Sequence, residues 1–242
     1  IAFDPIDYVP IGGDRQHLLQ PGKLKDGLET HALKSVLIHE NAHLLSLSAS
    51  QSSNNDLLGW EELLIDGDWE EYDKPKIAQV FRGKEASCAP NHYQANSGCM
   101  KDDSYLNLFF QKFWADIYLD YRYWFEFDDD DYGIEYSKSN YDFHQKYYDH
   151  FVSRYAATHP AEDFAESFWA FVLWDDKLID YYKETCATLG YHGLHTILEE
   201  GLTYQKYCPK IYRDNSIWEE KIQFFYDFPE LVEMRDFMRS NL

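Results

Sequence analysis

The chain has 242 residues, of which 45% are hydrophobic, and 43 acidic against 22 basic residues give it a formal net charge of −21. A surface this acidic repels nucleic-acid backbones and anionic membranes, so no nucleic-acid partner is expected. No apolar run approaches the roughly 18 residues of a membrane span, and the hydrophobic content suffices for the core of a single domain over residues 1–242.

The first half of the chain contains one strong helix signal between irregular segments. Residues 1–27 are predicted to be extended and loop structure, since Pro and paired Gly interrupt any helical pattern. A helix is predicted over 28–49, which has no internal breaker, and its apolar residues lie on more than one face, as in a buried helix. The acidic stretch 56–101 is interpreted as an irregular surface insertion. Because the chain begins with Ile1 rather than Met, we expect a mature or trimmed product.

Helical spacing dominates the second half of the chain. The run Asp128–Asp131 is expected to be a solvated turn, because the spacing of a calcium-binding EF-hand loop is missing. A helix is predicted over 161–174, with Pro160 suited to its first turn; we call it the glutamate helix. Further helical patterns cover 104–118, 136–157, 178–189, 194–202, 217–226 and 229–239. Convincing alternating strands are few.

Four cysteines form two local pairs without a C-x-x-C motif. Disulfides Cys88–Cys99 and Cys186–Cys208 are the simplest of three possible pairings, and four buried thiols are the alternative. Because disulfides persist in oxidising compartments, we expect a secreted or extracytoplasmic protein.

The helix predicted over 28–49 contains His39, Glu40 and His43 in the pattern H-E-x-x-H. Residues i and i+4 share one helix face, so the two imidazoles can converge on one point. Two neutral imidazoles at this spacing suit a single catalytic Zn²⁺, and Glu40 can act as general base toward a metal-activated water. The alternative is a buried helix with two hydrogen-bonded core histidines and an exposed glutamate.

A catalytic zinc ion usually has three protein ligands, and the short extension that supplies a third histidine is absent after His43. The candidate is Glu162, which lies i, i+4 from Glu166 on the glutamate helix. One carboxylate can bind the metal while the other accepts the N–H of a ligating histidine. The alternative is a solvated helix start, where acidic residues favour the helix dipole. The other histidines considered, His159, His192 and His195, are interpreted as structural.

H-E-x-x-H with a downstream E-x-x-x-D/E helix resembles the gluzincin metallopeptidases. The form Glu162-Asp-Phe-Ala-Glu166 is most similar to the lethal-factor catalytic domains and to secreted bacterial zinc peptidases. The resemblance implies Glu162 as third zinc ligand and Glu166 as acceptor for a ligating imidazole. It also implies that Tyr155, seven residues before the ligand glutamate, stabilises the transition state. The fold expected is α+β and predominantly helical, with a zincin-like core and a reduced β-sheet.

The sequence therefore predicts a zinc-dependent endopeptidase that acts on a peptide or protein substrate. Two alternatives stay open. One is a non-catalytic zincin-fold binding module with a structural zinc. The other is a zinc amidase that acts on cell-wall peptides.

Overall fold

In a computed structural model of the chain, the described residues are 26–53, 64–65, 68–72, 74–95, 97–126, 138–147, 149–153, 155–173, 194–199, 202–207 and 217–241. The α-helices are α1 Asp26–Leu47, α2 Lys74–Cys88, α3 Tyr105–Phe113, α4 Tyr118–Glu126, α5 Lys138–Lys146, α6 Pro160–Leu173, α7 Ile217–Phe224 and α8 Pro229–Asn241. Short 3₁₀ helices cover Tyr155–Thr158 and Phe225–Asp227. The strands are β1 Leu64–Ile65, β2 Asp68–Tyr72, β3 Tyr93–Gln94, β4 Gly98–Cys99, β5 Leu194–Glu199 and β6 Leu202–Tyr207.

Helices therefore account for most of the described residues, and the strands form only two-stranded antiparallel pairs among them: β1 with β2, β3 with β4, and β5 with β6. The expectation of a predominantly helical α+β protein is confirmed at this level. Within the described ranges, no helix combines the length and the hydropathy needed to cross a membrane.

Both helices expected to carry the site form within two residues of their predicted bounds. The helix predicted over 28–49 is α1, and the glutamate helix predicted over 161–174 is α6. The first residue of α6 is Pro160, where the missing N–H costs nothing because the first helical N–H groups have no intrahelical partner. One of these unpaired N–H groups, that of Ala161, donates a hydrogen bond to Nδ1 of the His159 ring at 3.1 Å. His159 thus caps α6.

Three predictions about local structure are wrong. The helix predicted over 136–157 is shorter, because α5 covers only Lys138–Lys146 and the residues 149–153 are not helical. Residues 194–202, interpreted as helical, form β5 and the start of β6, paired from Leu194 opposite Tyr207 to Glu199 opposite Leu202. The spacing of apolar residues in 194–202 fits both the helical period of 3.6 and the strand period of 2. β-branched and aromatic residues, such as Ile197 in β5 and Tyr204 in β6, favour strands. The stretch 56–101, interpreted as irregular, contains the 15-residue helix α2. Predictions for 1–25, Asp128–Asp131 and 178–189 lie outside the described residues.

A disulfide joins the end of α2 to β4. Cys88 and Cys99 are bonded, with Cα atoms 5.2 Å apart, which confirms the first predicted pair. Around this bond the segment that follows α1 is fixed: the Ser53 N–H donates to the Cys99 carbonyl at 2.9 Å, and the Lys101 N–H donates to the Gln51 carbonyl at 3.0 Å. The predicted Cys186–Cys208 pair lies outside the described residues.

The chain divides into two compact units, and the expectation of a single domain over 1–242 stays a prediction. The first unit contains the described parts of 1–41, 147–153 and 165–242, and the second unit those of 42–146 and 154–164. The divisions fall inside α1 and α6, so each of these two helices contributes residues to both units.

In the first unit, the C-terminal half of α6 packs against the residues that follow α7. The Phe168 and Phe171 rings lie 5.4 and 5.3 Å from the Phe225 ring, and all three side chains are buried. The Arg239 guanidinium on α8 donates to the carbonyls of Val172 at 2.6 Å and Phe171 at 3.3 Å. These carbonyls belong to the last turn of α6 and have no intrahelical partner, so Arg239 satisfies the end of this helix.

In the second unit, the first turn of α6 packs against α3 and the residues after it. The Phe164 ring lies 5.5 Å from the Phe109 ring in an edge-on arrangement. Asp163 is fully buried, and its Oδ2 accepts a 2.7 Å hydrogen bond from the Trp114 indole N–H. A buried carboxylate needs such a donor to offset its lost hydration, so this bond fixes the rotation of the first turn.

His92 makes the stability of the second unit depend on pH. Its buried ring stacks on Phe110 at 4.3 Å, and burial, followed by the influence of His159, lowers its pKa to about 3. The unfolded chain takes up this proton near pH 6.5, whereas the folded chain does not until far lower pH. The neutral His92 ring therefore makes its full contribution to the free energy of unfolding above pH 6.5, and this contribution is lost as the pH falls from 6.5 toward 3.

We predict that the urea midpoint, measured by circular dichroism, falls as the pH is lowered from 6.5 to 4. The substitution His92→Phe should flatten this pH dependence. One histidine that is protonated only in the unfolded chain changes the free energy of unfolding by up to about 1.4 kcal/mol per pH unit. Equal slopes in the variant and the parent protein would contradict the assignment to His92.

Candidate metal centre

Helix α1 places His39 and His43 one turn apart. The His39 side chain is 1% exposed, whereas His43 is partly exposed. Ile38 and Ala42 are buried, while Leu37 is half-exposed, so His39 lies on the packed side of the helix and His43 at the border with its open side. A border position suits a site that needs a fixed support and access from outside.

Helix α6 places Glu162 and Glu166 at the same one-turn spacing. Glu162 lies in the first turn and its side chain is 24% exposed, whereas the Glu166 side chain is 5% exposed. The intervening Asp163 is turned into the core by the 100° step between adjacent helix residues. The three acidic residues of this helix therefore occupy three different environments.

Glu166 fixes the His39 ring. The His39 Nδ1 atom lies 2.9 Å from Glu166 Oε1, and both side chains belong to the first unit. A carboxylate accepts, so the bond requires the proton on Nδ1 and leaves the lone pair on Nε2. Nε2 is then the atom of His39 that can ligate a metal, which is the tautomer that a carboxylate typically sets for zinc ligands.

His43 and Glu162 approach each other in the second unit, with His43 Nε2 3.2 Å from Glu162 Oε2. Together with His39 they form a group whose ligand atoms all lie within 4.8 Å of one another. Among the described residues it is the one group of three or more His, Cys, Asp or Glu side chains with such spacing. The three predicted ligands are thus brought together by α1 and α6.

The donor set fits a transition-metal ion. Two imidazole nitrogens and one carboxylate oxygen are a ligand set of catalytic zinc sites, in which a fourth position stays open. A carboxylate on the far side of one imidazole is the usual outer support. His39, His43 and Glu162 can therefore hold one metal ion, with Glu166 behind His39.

Glu162 interacts electrostatically with two polar rings of the second unit, His159 and Tyr121, which the sequence did not single out for the site. Burial lowers the pKa of His159 to about 4, against the opposing attraction of Glu162, so this ring is neutral at pH 7. Burial and then the Glu162 carboxylate raise the pKa of Tyr121 above its ordinary value, so its hydroxyl keeps its proton. That hydroxyl donates to the Thr158 carbonyl at 2.7 Å, just before the start of α6.

The remaining predicted residues stay predictions in their roles. Glu40 lies on α1 between the two histidines and is partly exposed. Tyr155 lies in the 3₁₀ helix before α6, where its carbonyl accepts from the Thr158 hydroxyl at 2.7 Å. His195 lies in β5, and His192 lies outside the described residues.

No protein-family model matches the chain, and neither a curated protein nor a solved structure is significantly similar to it. The assignment of the site therefore depends on its own residues and geometry.

We predict that the protein binds about one equivalent of zinc and that His39→Ala or Glu162→Gln weakens this binding more than 100-fold, since even outer partners of a ligand cost about 10–100-fold. Glu220→Gln is the matched control, because Glu220 is exposed on α7. Competition with a chromophoric chelator gives the affinities. Equal affinity in Glu162→Gln and Glu220→Gln would exclude Glu162 as a ligand.

Proposed function

We propose that the protein is a zinc-dependent endopeptidase. The observation that carries the proposal is the convergence of His39, His43 and Glu162 from two helices, with the Glu166 carboxylate on His39. Chance H-E-x-x-H sequences have no reason to meet a third ligand and an outer acceptor at once. The combination supports a catalytic metal site over two unrelated core histidines.

When bound, a zinc ion supplies Lewis-acid polarisation and lowers the pKa of a water toward neutrality. The chain supplies the proton transfers. Glu40 takes the proton of the attacking water and passes it to the leaving amine, as a general base and then a general acid. Its partly exposed position, on the same helix turn as the ligands, supports this role.

The resemblance to gluzincins supports the same reaction class, because its short motifs contain the residues that converge. The zincin-like core and the assignment to that class are part of the proposal. The Cys88–Cys99 disulfide fits a protein outside the cytosol, and we include secretion in the proposal. A peptide or protein is the proposed substrate.

Glu40→Gln is expected to lower kcat by about 10²–10⁴-fold while zinc stays bound, because the general base is lost and the ligands are kept. Cleavage of a casein or peptide-library substrate, followed by mass spectrometry, measures the rate, and elemental analysis measures the zinc.

Glu220→Gln again serves as the control for the same chemical change at an exposed position. A Glu40→Gln protein that cleaves at the parent rate would refute the role of Glu40. Zinc-loaded parent protein that cleaves no peptide but hydrolyses cell-wall peptides would favour the amidase. A protein that cleaves neither but melts lower without zinc would be a binding module.

Tyr155→Phe tests the proposed transition-state contact. Loss of one donor to a developing oxyanion is expected to lower kcat by about 10²–10³-fold, with zinc affinity and KM nearly unchanged. Tyr226→Phe is the control, since Tyr226 is 43% exposed and lies after α7. An unchanged kcat in Tyr155→Phe would remove this residue from the mechanism.

A further inference from the structure

Ser153 contacts the outer carboxylate of the metal centre. Its hydroxyl donates to Glu166 Oε2 at 2.7 Å, while the other oxygen of the same carboxylate, Oε1, lies 2.9 Å from His39 Nδ1. The three residues form a continuous line from a hydroxyl, through a carboxylate, to an imidazole. All three belong to the first unit.

A glutamate alone is a poor support for an imidazole. Its side chain has three torsions, and the last of them is broad and roughly two-fold, so the carboxylate plane can turn. A donor on each oxygen removes this freedom. Because Glu166 is nearly buried, water is a weak substitute for the serine donor.

The segment that carries Ser153 is itself fixed. Phe151, two residues earlier, is fully buried, and the Lys221 ammonium on α7 lies 4.5 Å from the centre of its ring. The backbone N–H of Trp218, also on α7, donates to the backbone carbonyl of Asp149 at 3.1 Å. The hydroxyl is therefore presented from a packed segment rather than from a free loop.

We propose that Ser153 is a positioning residue of the metal centre. It holds the Glu166 carboxylate in the plane that receives the His39 N–H, and thereby aims His39 Nε2 at the metal position. The proposal rests on the proposed zinc site, but not on the reaction that takes place there. Ser153 needs no contact with metal or substrate.

The test measures metal affinity and geometry rather than activity. Ser153→Ala should weaken zinc binding about 3–10-fold, less than the roughly 10–100-fold typical of a direct partner of a ligand. It should also shift the visible absorption bands of the cobalt-substituted protein. Ser153→Thr keeps the hydroxyl and should restore both values.

Ser46→Ala is the matched control. Ser46 is a buried serine on α1 whose hydroxyl donates to the Ala42 carbonyl at 2.9 Å and so serves the helix backbone. This variant removes a buried hydroxyl close to the site without touching Glu166, and it should leave zinc affinity and the cobalt absorption bands unchanged. A Ser153→Ala protein that behaves in the same way would overturn the proposal.

A double-mutant cycle with Glu166→Gln separates positioning from a general loss of stability. If Ser153 acts through Glu166, Ser153→Ala should weaken zinc binding in the parent protein and have a much smaller effect in the Glu166→Gln background. Equal effects in both backgrounds would overturn the proposal.

Failure of the proposed function gives different results. A parent protein that binds zinc without cleaving peptides would refute the peptidase and leave the role of Ser153 intact. A parent protein that binds neither zinc nor cobalt would refute both.

Discussion

The buried hydrogen bond between His39 and Glu166 is the interaction on which the site depends. Both side chains are almost fully removed from water, and each would lose its hydration without compensation if the other were absent. The bond therefore fixes the rotation of α1 and α6 about their axes at this level. Once these rotations are set, the next positions on each helix, His43 and Glu162, follow from the one-turn spacing.

Helix α6 combines this functional face with a structural one. Glu162 and Glu166 lie one turn apart on the side of the histidines, whereas Asp163 is buried and bonded to Trp114. The phenylalanines of the same helix pack into the cores of the two units at Phe164 and Phe168. A rotation of α6 that moved either glutamate away from the histidines would also break the hydrogen bond between Asp163 and Trp114 and leave a buried carboxylate without this donor. The packing of α6 and the placement of its glutamates therefore stabilise each other.

The features that local spacing controls could be predicted from the sequence. The bounds of α1 and α6 and the Cys88–Cys99 bond follow from short-range patterns, whereas His43 and Glu162 lie 119 positions apart and belong to two separate motifs, whose residues the fold brings into one group. Ser153 could not be found, because a serine nine positions before the ligand glutamate has no spacing rule and its contact with Glu166 depends on tertiary packing. The strand β5 could not be predicted either, because a short apolar run fits both a helix and a strand, and its pairing with β6 decides between them.

The net charge of the protein favours the approach of cations. A net charge of −21 lowers the potential around the protein and attracts positive ions before any specific contact forms. Close to Glu162, the ring of His159 would compete for the same carboxylate if it were protonated, but burial keeps it neutral at pH 7. The capping bond to Ala161 uses the lone pair of that neutral ring, so the contact that starts α6 also favours the uncharged form. Because the His159 ring is neutral, it places no positive charge beside the Glu162 carboxylate that would compete with a metal ion.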